Sequence, residues 1–234
     1  MSFIQVKNIE KYFGEFKILD NISMNVNKGD FIAIMGPSGS GKSTLLYSIS
    51  GMDEITDGSV WIDGENLSEM KEEERARIRL KKMGFVFQNV QMLKTLTVLD
   101  NIMLPGLVAG EEQADVIRKR AIRLMQEMDI SQIADRDIRK VSGGQLQRAS
   151  ICRAMINNPE VLFMDEPTGA LNSEATEQVL EILKRLNKEG VTIVMVTHDP
   201  KVAEKTKKSC IFKMEKQSPE KMILCNVLRE ILNI

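Results

Sequence analysis

Histidine is almost missing from this chain: His198 is the only one in 234 residues. The three cysteines, Cys152, Cys210 and Cys225, are odd in number and widely spaced, which excludes a disulfide framework and a zinc pattern. They fit a reducing compartment, as small core residues. An excess of charge of either sign is missing too. Lys and Arg number 32 against 33 Asp and Glu, so no global field draws the chain to nucleic acid or to anionic lipid. No apolar run approaches the length of a membrane span, and the first residues lack the basic and apolar regions of a signal peptide. The expectation is a cytoplasmic protein with no nucleic-acid partner and no direct lipid binding. Any role at a membrane would come through a partner. Repeats, low-complexity tracts and linkers are absent, so the length reads as one large domain or a domain with a subdomain.

What is present is sharply patterned. The run Gly36-Pro37-Ser38-Gly39-Ser40-Gly41-Lys42-Ser43-Thr44 matches the P-loop pattern at every fixed position. Before it, Phe31–Met35 reads as a short buried strand; after it, Thr44–Ser50 opens an apolar helix. Small residues in such a turn let successive backbone N–H groups face phosphates, and the helix dipole adds positive potential. Lys42 would reach the β- and γ-phosphates, and Ser43 would ligate Mg²⁺.

The N-terminal third reads as strands: Phe3–Val6, Ile22–Val26 and Ser59–Gly64. Residues 70–82 read as a solvated, charge-rich helix, and Met83–Phe87 as another strand. Helical spacing takes over at Thr97–Leu104, Glu111–Met128 and Gly143–Met155. Strands return at Val161–Met164 and Thr192–Val196, around a helix over Ser173–Glu189. Strand–helix–strand units imply a largely parallel α/β sheet, here interrupted by a helical insert. Cys210–Met214 reads as a last strand. Beyond it, Ser218-Pro219-Glu220 and the spacing of Leu224, Val227, Leu228, Ile231 and Leu232 predict an amphipathic terminal helix.

Val161–Asp165 is an apolar strand ending in an acid, the Walker B arrangement, which sets a carboxylate beside Mg²⁺. Glu166 follows at once and can orient or deprotonate an attacking water. His198 follows the strand over 192–196, where open α/β sheets place ligands. Ser142-Gly143-Gly144-Gln145 puts a glycine pair at a helix start, a second candidate phosphate site or a simple cap.

Those four residues resemble the signature motif of ATP-binding cassette (ABC) ATPases, and the order of motifs matches that family across residues 3–214. The resemblance implies a P-loop NTPase core with a mostly parallel sheet, an N-terminal antiparallel β region and a helical signature-motif subdomain. The α/β core would span 1–88 and 157–214 and the helical subdomain 89–156, with the C-terminal helical extension over 215–234 read from its apolar spacing, since after Met214 the resemblance fades. It further implies that Tyr12 stacks on adenine and that Gln88 contacts Mg²⁺ and the attacking water. Residues 169–172 would form the D-loop, with Asn172 in place of the usual Asp. Two copies would pair head to tail on ATP, the signature of one closing on the P-loop of the other. An integral-membrane permease would dock near residues 88–105, with Leu93, Leu96, Val98 and Leu107 as candidate contacts, holding the chain at the inner face of the membrane. Details such as Phe85–Gln88 and Leu104-Pro105-Gly106 are similar to the branch serving lipoprotein release, macrolide export and peptide resistance. A soluble, non-transport ABC ATPase is the alternative.

Overall fold

The computed structural model describes residues 2–206, 208–211 and 224–226. β1 (Ser2–Phe13) and β2 (Phe16–Asn27) form a hairpin. β3 (Phe31–Met35), α1 (Lys42–Ile49), β4 (Asp57–Ile62), β5 (Glu65–Asn66), α2 (Glu72–Lys82) and β6 (Met83–Val86) follow. Next come α3 (Val98–Ala109), α4 (Ala114–Glu127) and α5 (Gly143–Met155), which pack on one another. The chain continues through β7 (Val161–Asp165), α6 (Ser173–Lys188), β8 (Thr192–Thr197), α7 (Pro200–Ala203), β9 (Lys208–Ile211) and β10 (Leu224–Asn226).

Two sheets result. One is antiparallel, in the order β2-β1-β4-β5; the other runs β10-β9-β3-β8-β7-β6 and is parallel except where β10 meets β9. The central strands are apolar throughout because both faces are covered. Their side chains alternate between two cores. Phe31, Ala33, Leu162, Met164, Ile193 and Met195 pack with α3 to α6. Ile32, Ile34, Val161, Phe163, Val194 and Val196 pack with Leu45, Leu46 and Ile49 of α1 and with the antiparallel sheet.

The register places the chemistry. Met35 pairs with Thr197, Asp165 with Val196, and Val86 with Met164. Four parallel strands therefore end level, and the segments that leave them begin at Gly36, Glu166, His198 and Phe87-Gln88. The carboxyl edge of such a sheet is where α/β proteins bind ligands.

Three elements depart from the sequence reading. α3 does not stop before Pro105 but runs to Ala109, ending at Gly110 with φ of 66°. Pro105 costs the helix one backbone bond, yet packing holds the last turn. Gly106 lies so close to Ile117 that a Cβ would come within 2.9 Å of it, and Asn157 donates to the Pro105 carbonyl at 3.2 Å. The charge-rich α2 is not solvated all round: Arg75 is buried, pairing with Glu54 and Glu72, and Arg79 donates to the Gly51 carbonyl at 2.6 Å. At the C-terminus, 224–226 is a strand paired with β9 where helical spacing predicts a helix. The rest of that predicted helix, with residues 212–214 of the last predicted strand, lies outside the described residues. Among the described residues, no helix is long and apolar enough to cross a membrane.

Candidate active site

The P-loop turns through two left-handed glycines, Gly39 at φ 77° and Gly41 at φ 87°. Only glycine takes these values without steric cost. A Cβ on Gly41 would also sit 3.1 Å from the Ile18 side chain, tighter than ordinary contact. Gly41 caps α1 without a side-chain bond, and the first turn carries no acid, so its N–H groups are free to meet an anion. Lys42 folds back to donate to the Pro37 carbonyl at 2.8 Å. A phosphate oxygen would be the stronger acceptor for that ammonium. Gly36 is half-buried and Pro37 exposed, while Ser40 is buried under the turn with no hydrogen-bond partner for its hydroxyl.

The P-loop forms one wall of a cleft of about 640 Å³. Ser38, Gly39, Gly41, Lys42, Ser43 and Thr44 line it on one side, and Gln88, Glu166 and His198 on the other. Asp165 lies just behind, buried, and takes a hydrogen bond from Ser43 Oγ at 2.9 Å. A serine hydroxyl beside a buried carboxylate is an all-oxygen donor pair. It suits Mg²⁺, which takes few protein ligands and relies on waters and phosphates for the rest. Among the described residues, no group of three or more His, Cys, Asp or Glu side chains could hold a metal ion.

Glu166 is held in an unusual backbone state, with φ at 47°. A non-glycine residue there carries strain of about 1–3 kcal/mol, which the surrounding structure must offset. Its N–H donates to the Val196 carbonyl at 3.0 Å, and His198 Nδ1 lies 2.8 Å from Glu166 Oε1. The carboxylate can only accept, so this geometry puts the proton on Nδ1. His198 and Glu166 both line the cleft, and among the described lining residues Glu166 is the one carboxylate. Gln88 approaches Gly169 closely: a Cβ on that glycine would lie 3.2 Å from Gln88 Nε2.

Two groups of predicted site residues are elsewhere. Tyr12 is not on the cleft wall, which carries Phe13 and Ile18 instead. Successive strand side chains face opposite ways, and the Tyr12 ring lies under the Lys17 ammonium, 5.2 Å from its centroid. The signature residues are also outside the cleft. Ser142 Oγ accepts from Gln145 N at 3.2 Å while Gln145 Oε1 accepts from Ser142 N at 3.0 Å, a complete capping box. Ser142 and Gly143 are open to solvent, and Gly144 packs toward Ala175. Asn172 caps α6 by accepting from Ala175 N at 2.9 Å, so it keeps the hydrogen bond an aspartate there would make and omits the charge.

A second concavity, about 420 Å³, is apolar: Met52, Leu80, Phe85, Phe87, Leu104 and Pro105 line it. It also holds Arg79 and Arg153 and, among the described residues, no carboxylate. Arg153 donates to the Gln91 carbonyl, and burial holds its guanidinium below the usual arginine range. Of the docking contacts expected from sequence, Leu93 and Leu107 are exposed outside this groove, and Val98 is fully buried in the core. Val98 faces inward because it opens α3 on its apolar side.

Residues 19–169 match the family described as ABC transporter. The chain is an ATPase domain of the ABC transporter family. The macrolide export ATP-binding/permease protein MacB of Mannheimia succiniciproducens is 44% identical over 87% of this chain and 32% of its own length. MacB of Campylobacter jejuni is 40% identical over 97% of this chain and 36% of its own length. The chain therefore spans about a third of these curated relatives. Among solved structures, the dimeric ABC transporter cassette MJ0796 is 40% identical, with a TM-score of 0.83, over 89% of this chain and 93% of that one. A post-hydrolysis dimer of the same cassette, bound to ADP and Pi, is 36% identical, with a TM-score of 0.84, over 94% of this chain and all of that one.

Sequence reasoning missed one polar neighbour in this ABC cassette. Tyr47 Oη donates to Asp165 Oδ2 at 2.7 Å. Burial, joined by that carboxylate, pushes the phenol above its ordinary range. A signal was present: Ser43 and Tyr47 are four residues apart on α1, hence on one face.

Proposed function

We propose that this cassette binds ATP in the P-loop cleft, hydrolyses it as a head-to-tail pair of copies, and drives export through an integral-membrane permease. The observation that carries this reading is the split of the phosphate machinery. Lys42, Ser43, Glu166 and His198 share one cleft, whereas Ser142 and Gly143 lie outside it and face solvent. A second copy would bring that glycine pair and helix start to the open side of the nucleotide.

In the cleft, the α1 N–H groups and Lys42 would hold the β- and γ-phosphates. The adenine would rest at the end of the β1–β2 hairpin, where Phe13 lines the wall and Tyr12 stands one residue back. Ser43 and Asp165 would hold Mg²⁺, with Gln88 reaching the same side; bound there, the ion supplies charge neutralisation across the phosphate oxygens. Glu166 would take the proton of the attacking water while His198 keeps its carboxylate aimed. Single copies should turn over slowly, because an incomplete site lacks part of its charge stabilisation.

Sedimentation tests the pairing. With Mg²⁺ and a slowly hydrolysed ATP analogue the mass should double, and without nucleotide it should not, since ligand shared by two copies links them by mass action. Equal masses in both conditions would sink the head-to-tail reading.

The apolar groove is where the permease would dock, and the chain would thereby sit at the inner face of the membrane. A charge buried there would meet no carboxylate among the described lining residues. Leu104→Lys should therefore weaken recovery with permease-containing membranes by about tenfold or more, with nucleotide affinity unchanged. Membrane recovery equal to that of the parent would show that docking lies elsewhere.

A further inference from the structure

Asp165 is gripped on both oxygens by one helix. Ser43 Oγ donates to Oδ1 at 2.9 Å, and Tyr47 Oη donates to Oδ2 at 2.7 Å. The two donors are one turn apart on α1, so their spacing is set by the helix itself. The phenol has little freedom to leave. Its ring packs against Phe87 with centroids 6.3 Å apart, Phe87 stacks on Phe85 at 6.2 Å, and Phe85 stacks on Phe163 at 5.6 Å. Phe163 stands two residues before Asp165 on β7, so the aromatic chain returns to the strand that carries the carboxylate. Phe85 and Phe87 also line the apolar groove, which leaves Tyr47 between that groove and the carboxylate.

A carboxylate held by one oxygen can still rotate about its last bond. Held by both, its plane is fixed. We infer that Tyr47 is a positioning residue for the Mg²⁺ site: its O–H fixes the plane of Asp165, so that Asp165 and Ser43 face the cation as a preformed pair. This rests on the reading that Ser43 and Asp165 hold Mg²⁺. The phenol donates to Asp165, whereas Lys42, which would hold the phosphates, donates to the Pro37 carbonyl, so nucleotide binding without the metal should not depend on the phenol.

Tyr47→Phe removes the O–H and keeps the ring on Phe87. The measurement is binding of a fluorescent ATP analogue by the full chain, first in EDTA and then across a MgCl₂ titration. In EDTA the variant should bind like the parent. The Mg²⁺ concentration that gives half the rise in affinity should increase about tenfold, the lower end of what losing a partner behind a metal ligand costs. The Mg²⁺-dependent gain in thermal midpoint should shrink in parallel. An unchanged Mg²⁺ midpoint overturns the inference. Equal weakening with and without Mg²⁺ also overturns it, since Tyr47 would then support α1 rather than the metal site. If the parent itself shows no Mg²⁺ dependence, the metal reading of Ser43 and Asp165 fails first, and the two failures are told apart.

Discussion

Glu166→Gln is expected to lower steady-state ATP turnover by about 10²–10⁴-fold, the range spanned by a positioned acid–base group, while ATP still binds. The substitution is nearly isosteric, and the amide oxygen can go on accepting from His198 Nδ1, 2.8 Å away in the parent. The left-handed backbone at 47° is as accessible to Gln as to Glu, so the local strain is unchanged. What disappears is the ability to take a proton. The nucleotide should then persist uncleaved and hold two copies together. Single-turnover hydrolysis and sedimentation of the variant with ATP read both effects. Turnover near that of the parent would remove Glu166 from the role and leave Gln88 or His198 as the group to test on the cleft wall.

Lys42→Ala should weaken ATP binding by about 10–100-fold, the loss expected for charge-assisted bonds to phosphate, with the fold intact. Lys42 is buried, at 7% exposure, yet it lies in neither apolar cluster, and its ammonium donates to the Pro37 carbonyl. Pro37 is exposed, so water can take over that bond when the lysine is gone. Titration with a fluorescent nucleotide gives the affinity, and near-ultraviolet circular dichroism checks the packing. Unchanged affinity in a folded variant would mean that the lysine points away from the phosphates when nucleotide is bound. Loss of the dichroic signal would mean that it supports the turn itself.

Both residues are legible in the sequence because their chemistry is written in adjacent positions. A strand, a glycine turn and a helix start are contiguous from Phe31 to Ile49, and their backbone geometry follows from the residues alone. The same holds for Asp165-Glu166 at the end of β7 and for the capping box at Ser142, where partners lie within three residues. Continuous apolar runs likewise announce a sheet covered on both faces.

What the sequence determined by itself was the set of local devices: the P-loop, the strand that ends in Asp165 with Glu166 directly after it, the signature helix start and the histidine after β8. Tertiary structure alone decided which of them meet. The level register of β3, β6, β7 and β8 brings Gln88, Glu166 and His198 to the P-loop, and it leaves Ser142 outside. It set Phe13, and not Tyr12, on the cleft wall, and it sent Val98 into the core. It also carried α3 through Pro105, against local propensity, because Gly106 packs on Ile117. The bond from Tyr47 to Asp165 joins residues 118 positions apart. Such contacts depend on how strands are ordered and which face of a helix is buried. Those are set by the whole core at once, so no short stretch of the chain contains them.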